Sequence, residues 1–189
     1  KNCVLTSEDG NFFYHRGFNE EMFAKAIRDN IKKKRFARGA STVTMQMVKN
    51  VYLSRNKTIA RKLDEALLVW LIENNRLLSK ERILEVYLNI IEWGPGVYGI
   101  GEASRFYFNK KPADLNLEES IFLASIVPNP KLFMYSFDTD GNLKPHMAGF
   151  YRLISGILFK RMVITDEEYA NLKPNVKLKG PARDLLHKA

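Results

Sequence analysis

A mainly α fold is predicted, on three observations. Apolar residues recur at helical spacing through most of the chain, helix-capping residues stand just before them, and strand signals are few. At 189 residues and 46% hydrophobic, the chain can build one ordinary domain around a proper core. Disorder is therefore not the expectation.

The elements follow in order. Asn19 caps a helix over residues 19–34 with an apolar stripe of Met22, Phe23, Ala26 and Ile27. Ser41 or Thr42, after Gly39, caps a second helix that runs to about Leu53. A third covers 58–74, and Ser79 starts a fourth with Ile83, Leu84, Tyr87 and Leu88 on one face. "WGPGVYGIG", with four glycines and a proline, reads as a break without regular structure. A short helix over 102–108 follows it. Asn116 with Glu119 forms a capping box before "SIFLASIV", which Pro128 and Pro130 end. "FDTDGN" is a loop, 146–162 a longer helix, and Thr165 with Glu168 a second capping box before a short last helix.

Charge narrows the partners. A net charge of +9 and a pI near 9.6 favour an anionic one: nucleic acid, a phosphate-bearing substrate or an anionic membrane surface. Cys3 is the lone cysteine, so an intrachain disulfide and a cysteine-rich metal site are both excluded. His15, His146 and His187 lack zinc-motif spacing, and no residue is read as a metal ligand. The longest apolar run, "ALLVWLI", falls far short of the roughly 18–20 residues that span a bilayer. A chain opening on Lys1 instead of Met is expected to be a fragment of a longer protein.

Four clusters could carry chemistry. "TSEDGNFFYHRG" sets Glu8 and Asp9 beside Phe12, Phe13, Tyr14 and His15. Aromatic flanks desolvate a carboxylate and suit a general base, yet an acidic helix N-cap beside core aromatics explains the same residues. In "RGASTVTMQMVKN", a helix starting near Ser41 offers N–H groups and hydroxyls to an anion. Thr42, Gln46 and Lys49 then share one face, either toward a phosphate or toward solvent. In "RKLDEALLVWLIE", Arg61 and Lys62 both reach Glu65, at the edge of a helix that looks buried all round. "KKKRFAR" interleaves cations with Phe36, as an anionic groove or a solvated helix end would. "SRNK" and the sequon "NKT" are read as chance matches.

In their order these segments resemble one family, the peptidoglycan glycosyltransferases of glycosyltransferase family 51. That family comprises monofunctional enzymes and the glycosyltransferase domains of class A penicillin-binding proteins, and it is the target of moenomycin. "EDGNFFYHRG" resembles its E-D-x-x-F-x-x-H-x-G, and "GASTVTMQMVKN" resembles G-x-S-T-I-T-Q-Q-x-x-K-N. "RKLDE", "ERILEVYLN" and "GVYGIGEASRFYFNK" resemble the three motifs that follow. Together the five cover residues 7–130.

The resemblance implies a lysozyme-like fold, with a large helical lobe and a smaller membrane-associated lobe around a cleft. It implies a single domain over 1–189, preceded in the full protein by a transmembrane anchor. The implied reaction joins lipid II units into β-1,4 glycan strands with inversion, releasing undecaprenyl pyrophosphate. Glu8 would be the catalytic base and Glu65 the second catalytic carboxylate. Asp9, Phe12, His15, Ser41, Thr42, Gln46, Lys49, Asn50, Lys57, Arg61 and Lys62 would bind substrate. No cofactor is required, although a divalent cation, Mg or Mn, is allowed near the pyrophosphate. Expected partners are lipid II, the growing lipid-linked strand, the membrane surface and other cell-wall synthesis proteins, with no nucleic acid. The expected place is the extracytoplasmic, periplasmic face of the bacterial cytoplasmic membrane.

Three departures stand out. Met45 replaces the first glutamine of the Gln-Gln pair, which removes one polar contact to the donor. Lys57 replaces an arginine and gives up bidentate phosphate recognition. Gly101 stands where the family often has glutamate, with Glu102 after it. A non-catalytic binder of lipid-linked glycan and a lysozyme-like hydrolase of finished glycan remain the alternatives.

Overall fold

Helices account for most of the regular structure among the described residues, as the spacing predicts. The computed structural model describes residues 1–21, 24, 28–29, 32, 41–53 and 59–186. Most of the helix expected over 19–34, most of the basic run at 32–38, and Lys57 lie outside the described residues. The described elements are α1 (Asn2–Glu8), α2 (Val43–Tyr52), α3 (Ile59–Asn74), α4 (Lys80–Ile90), β1 (Glu92–Gly94), β2 (Val97–Tyr98), α5 (Ile100–Phe108), α6 (Leu117–Ile126), α7 (Ala148–Lys160) and α8 (Asp166–Asn171). Short 3-10 turns at Pro112–Asp114, Pro130–Ser136, Pro145–Met147 and Pro181–Leu185 each open on a proline. Its fixed φ suits a first helical position, and its missing N–H would be unpaired there anyway.

Two compact units emerge, one of residues 8–90 and one of residues 1–7 with 91–189. In the 8–90 unit, α2 packs against α3 and α4. Val43, Met47 and Val48 of α2, Val69 and Ile72 of α3, and Ile83, Leu84, Tyr87 and Leu88 of α4 are all buried. The α3 helix is not buried all round, contrary to expectation. Leu63, Leu67 and Trp70 are 67%, 57% and 50% exposed, and their i, i+4, i+7 spacing makes them one apolar stripe facing out.

The other unit is built on an aromatic core. Phe106, Tyr107, Phe108, Phe122, Phe133 and Phe137 meet mostly edge to face, with ring centroids 4.9–6.0 Å apart. Buried Tyr107 donates its hydroxyl to the Trp93 carbonyl at 2.6 Å, so its polar tip is satisfied. Both capping boxes form as the sequence indicates, Asn116 with Glu119 on α6 and Thr165 with Glu168 on α8.

Two elements were not anticipated. "NCVLTSE" forms α1, a seven-residue helix with Cys3, Val4 and Leu5 buried. It is too short for periodicity and carries no acidic first turn. "WGPGVYGIG" is also more regular than a break, because β1 and β2 pair as an antiparallel hairpin. Its glycines shape the turn instead of abolishing the strands: Gly96 sits at φ +72°, a conformation that L side chains rarely adopt.

Candidate active site

The first acidic pair lies at the end of α1 and in the turn after it. Glu8 is the last residue of that helix, so the N-cap reading of the pair is wrong. Asp9 is fully buried, and both its oxygens accept from His15 Nε2 at 2.9 Å. One of them also accepts the backbone N–H of Val43 at 3.1 Å. Val43 is the first residue of α2, where unpaired N–H groups and the helix dipole favour an anion. The anion at this helix start is therefore the protein's own Asp9. A carboxylate so enclosed orders the loop and the helix.

Thr42 is likewise committed to structure. Its hydroxyl donates to the Gly17 carbonyl at 2.7 Å and accepts from Met45 N at 3.2 Å, which makes it the N-cap of α2. Gly17 has φ +83°, and a Cβ there would stand 2.5 Å from Val69 Cγ1. Only glycine lets the chain turn this close to α3.

Glu8 is half-buried and belongs to a hydrogen-bonded series drawn from three elements. Tyr87 of α4 donates its hydroxyl to Gln46 Oε1 at 3.1 Å, and Gln46 Nε2 donates to Glu8 Oε2 at 3.0 Å. The order is fixed chemically. Burial pushes the Tyr87 phenol well above its ordinary value, and the nearby Glu8 and Asp9 charges push the same way, so it stays a donor. With Gln46 oxygen facing that donor, its NH2 must face the carboxylate.

Glu65 is set differently. Only 1% exposed, it receives Arg61 Nη1 at 3.4 Å and an ion pair from Lys62 Nζ. The α-helical spacing predicts both contacts, one turn back along α3. Among the described residues no three His, Cys, Asp or Glu cluster to hold a metal, and the partners at Glu65 are cations.

The structure thus places Glu8, Asp9, Phe12, His15, Thr42 and Gln46 in one connected neighbourhood, with Phe12 and His15 rings edge to face at 6.3 Å. Arg61, Lys62 and Glu65 form a second group. Ser41, Lys49 and Asn50 are exposed, and Met45 is buried. Sequence reading missed Tyr87 as a partner, together with buried Glu73 and its ion pair to Lys80 at 2.7 Å. A tyrosine on an otherwise apolar helix face was the available signal, since a buried phenol needs a hydrogen-bond partner.

A family described as Transglycosylase matches residues 1–146 through its model. The chain is similar to the biosynthetic peptidoglycan transglycosylase of Nitrosomonas eutropha, 44% identical over 133 residues, which are 70% of this chain and 54% of that protein. The protein of the same description from Dechloromonas aromatica is 44% identical, with 70% and 57% covered. That of Acinetobacter baylyi is 38% identical, with 70% and 58% covered. The chain therefore spans little more than half the length of the curated relatives it matches. With the family's model running through both carboxylate groups and most of the sequence, the chain belongs to the transglycosylase family.

Proposed function

We propose that this protein polymerises lipid II into β-1,4-linked glycan strands of peptidoglycan, with inversion and release of undecaprenyl pyrophosphate. The observation that carries the reading is the Tyr87–Gln46–Glu8 series. It orients one half-buried carboxylate while its neighbour Asp9 is walled in. Glu8 is then the group that takes the proton from the acceptor 4-hydroxyl as that oxygen attacks the donor's anomeric carbon, a role worth about 10²–10⁴-fold in rate. The leaving pyrophosphate is strongly anionic, so preorganised cations on its side stabilise the transition state. Arg61, Lys62 and exposed Lys49 supply them, and Glu65 holds the first two in place.

The names of the relatives support peptidoglycan as the product class. The outward Leu63–Leu67–Trp70 stripe on α3, next to exposed Lys62, supports work against an anionic lipid surface. The proposed place is the extracytoplasmic face of the cytoplasmic membrane. No helix among the described residues is long and apolar enough to cross it.

Incubation with purified lipid II in detergent tests the reading. Glycan polymer resolved by gel electrophoresis is expected. Absence of polymer, with soluble muropeptides released from purified sacculi instead, would replace it with a hydrolase.

A further inference from the structure

We propose that Glu73 and Lys80 are positioning residues for the reaction at Glu8, an inference that rests on the polymerase reading above. Glu73 lies in the last turn of α3 and Lys80 opens α4. Glu73 Oε1 accepts from the buried Thr44 hydroxyl of α2 at 2.5 Å and from Lys80 Nζ at 2.7 Å. The same ammonium stands 4.5 Å from the centroid of the Phe12 ring, within cation–π range. One carboxylate thus ties together three helices and, through Lys80, the loop that follows Asp9.

The loop is held at both ends by this pair. Buried Phe12 donates its backbone N–H to the Asp9 carbonyl at 2.9 Å, so fixing its ring fixes the turn beside Glu8. At the far end, Gly17 runs so close to the Glu73 stem that an added Cβ would meet Glu73 Cγ at 3.2 Å. Between the two ends His15 reaches back to Asp9. Packing alone does not require such an arrangement, because buried ion pairs are often replaced by apolar residues without loss of stability. What the pair adds is direction. It sets the angle at which the 12–17 loop leaves Asp9, and with it the register of Glu8 against Gln46.

The test compares Lys80→Met, Lys80→Arg and the double variant Glu73→Gln/Lys80→Met in the full-length enzyme on lipid II, with melting temperature measured alongside. Wild-type polymer in the same assay separates failure of this inference from failure of the reaction reading. Lys80→Met strands a buried carboxylate, so its melting temperature is expected to fall. The double variant leaves no unpaired charge, and the amide it places at position 73 still accepts from Thr44, so its melting temperature should return close to wild type. Its kcat should nevertheless stay down by about 10-fold or more with KM within ~3-fold, while Lys80→Arg keeps kcat within ~3-fold. A double variant with kcat within about 2-fold of wild type would overturn the proposal.

Discussion

Two carboxylates of the 8–90 unit stand in opposite relations to their surroundings. Glu8 is oriented by others: a buried phenol fixes an amide, and the amide fixes the carboxylate. Glu65 orients others, gathering Arg61 and Lys62 on one turn of α3. Under the proposed function, the difference separates two tasks of a glycosyl transfer from a pyrophosphate donor to a hydroxyl. One group must be aimed at a hydroxyl, and another must keep long cationic side chains aimed at the leaving group. Identical side chains differ here in position, one at the end of a network and the other at its centre.

The largest effect that could break this comparison comes from Glu65→Gln. Without the charge, Arg61 and Lys62 lose their shared anchor and repel each other, so steady-state polymerisation should fall by about 100-fold. A loss below about threefold would mean that Glu65 aims nothing. Tyr87→Phe is next. It frees the Gln46 amide to rotate, and kcat should fall by about 10-fold with KM little changed, at a stability cost of about 1–2 kcal/mol. A change in KM alone would place Tyr87 in substrate binding instead.

Alkali probes the same phenol without mutation. Tyr87, Tyr107 and Tyr151 are all raised above 10.0, each chiefly by burial. The folded state therefore keeps protons that the unfolded chain gives up as pH rises through about 10. The contribution of these phenols to the unfolding free energy from urea titrations should accordingly hold steady below that pH, while the buried Cys3 thiol, also raised, begins to lower stability from about pH 9. Above about pH 10, stability should fall by up to about 1.4 kcal/mol per pH unit for each tyrosine. Stability that rises from about pH 9 to about pH 11 would contradict the burial of these hydroxyls.

The smallest effect on rate sharpens the comparison from outside the site. Glu119 is also buried and ion-paired, both oxygens 2.8 Å from Lys110 Nζ, and it closes the capping box of α6. Glu119→Gln should cost about 1–2 kcal/mol in thermal unfolding. Its polymerisation rate should stay within about twofold of wild type, since it touches neither group.

What the sequence made legible was local. An N-cap at Ser41 or Thr42, both capping boxes and the Arg61–Lys62–Glu65 turn were readable, because each depends on residues three or four apart. The contacts that define the site span far more chain: Gln46 to Glu8, Tyr87 to Gln46, Val43 to Asp9 and Thr44 to Glu73 are separated by 38, 41, 34 and 29 residues. No periodicity encodes such pairings, so Tyr87 read only as a core residue and Glu73 and Lys80 went unremarked. The resemblance to a family named Glu8 and Gln46 but not the bond between them. Hydrophobic counting also misjudged α3, since "ALLVWLI" looks buried although Leu67 and Trp70 face out.

Under the proposed function, Glu8 is the group that the Tyr87–Gln46 network aims. Single-turnover polymerisation of lipid II by Glu8→Gln, with lipid II binding measured on the same protein, tests it most directly. The amide keeps a hydrogen-bonding partner for Gln46 but cannot take a proton at neutral pH, so the rate should fall by at least ~100-fold with Kd within ~3-fold. A variant that binds lipid II normally and keeps more than about a tenth of the wild-type rate would contradict the account.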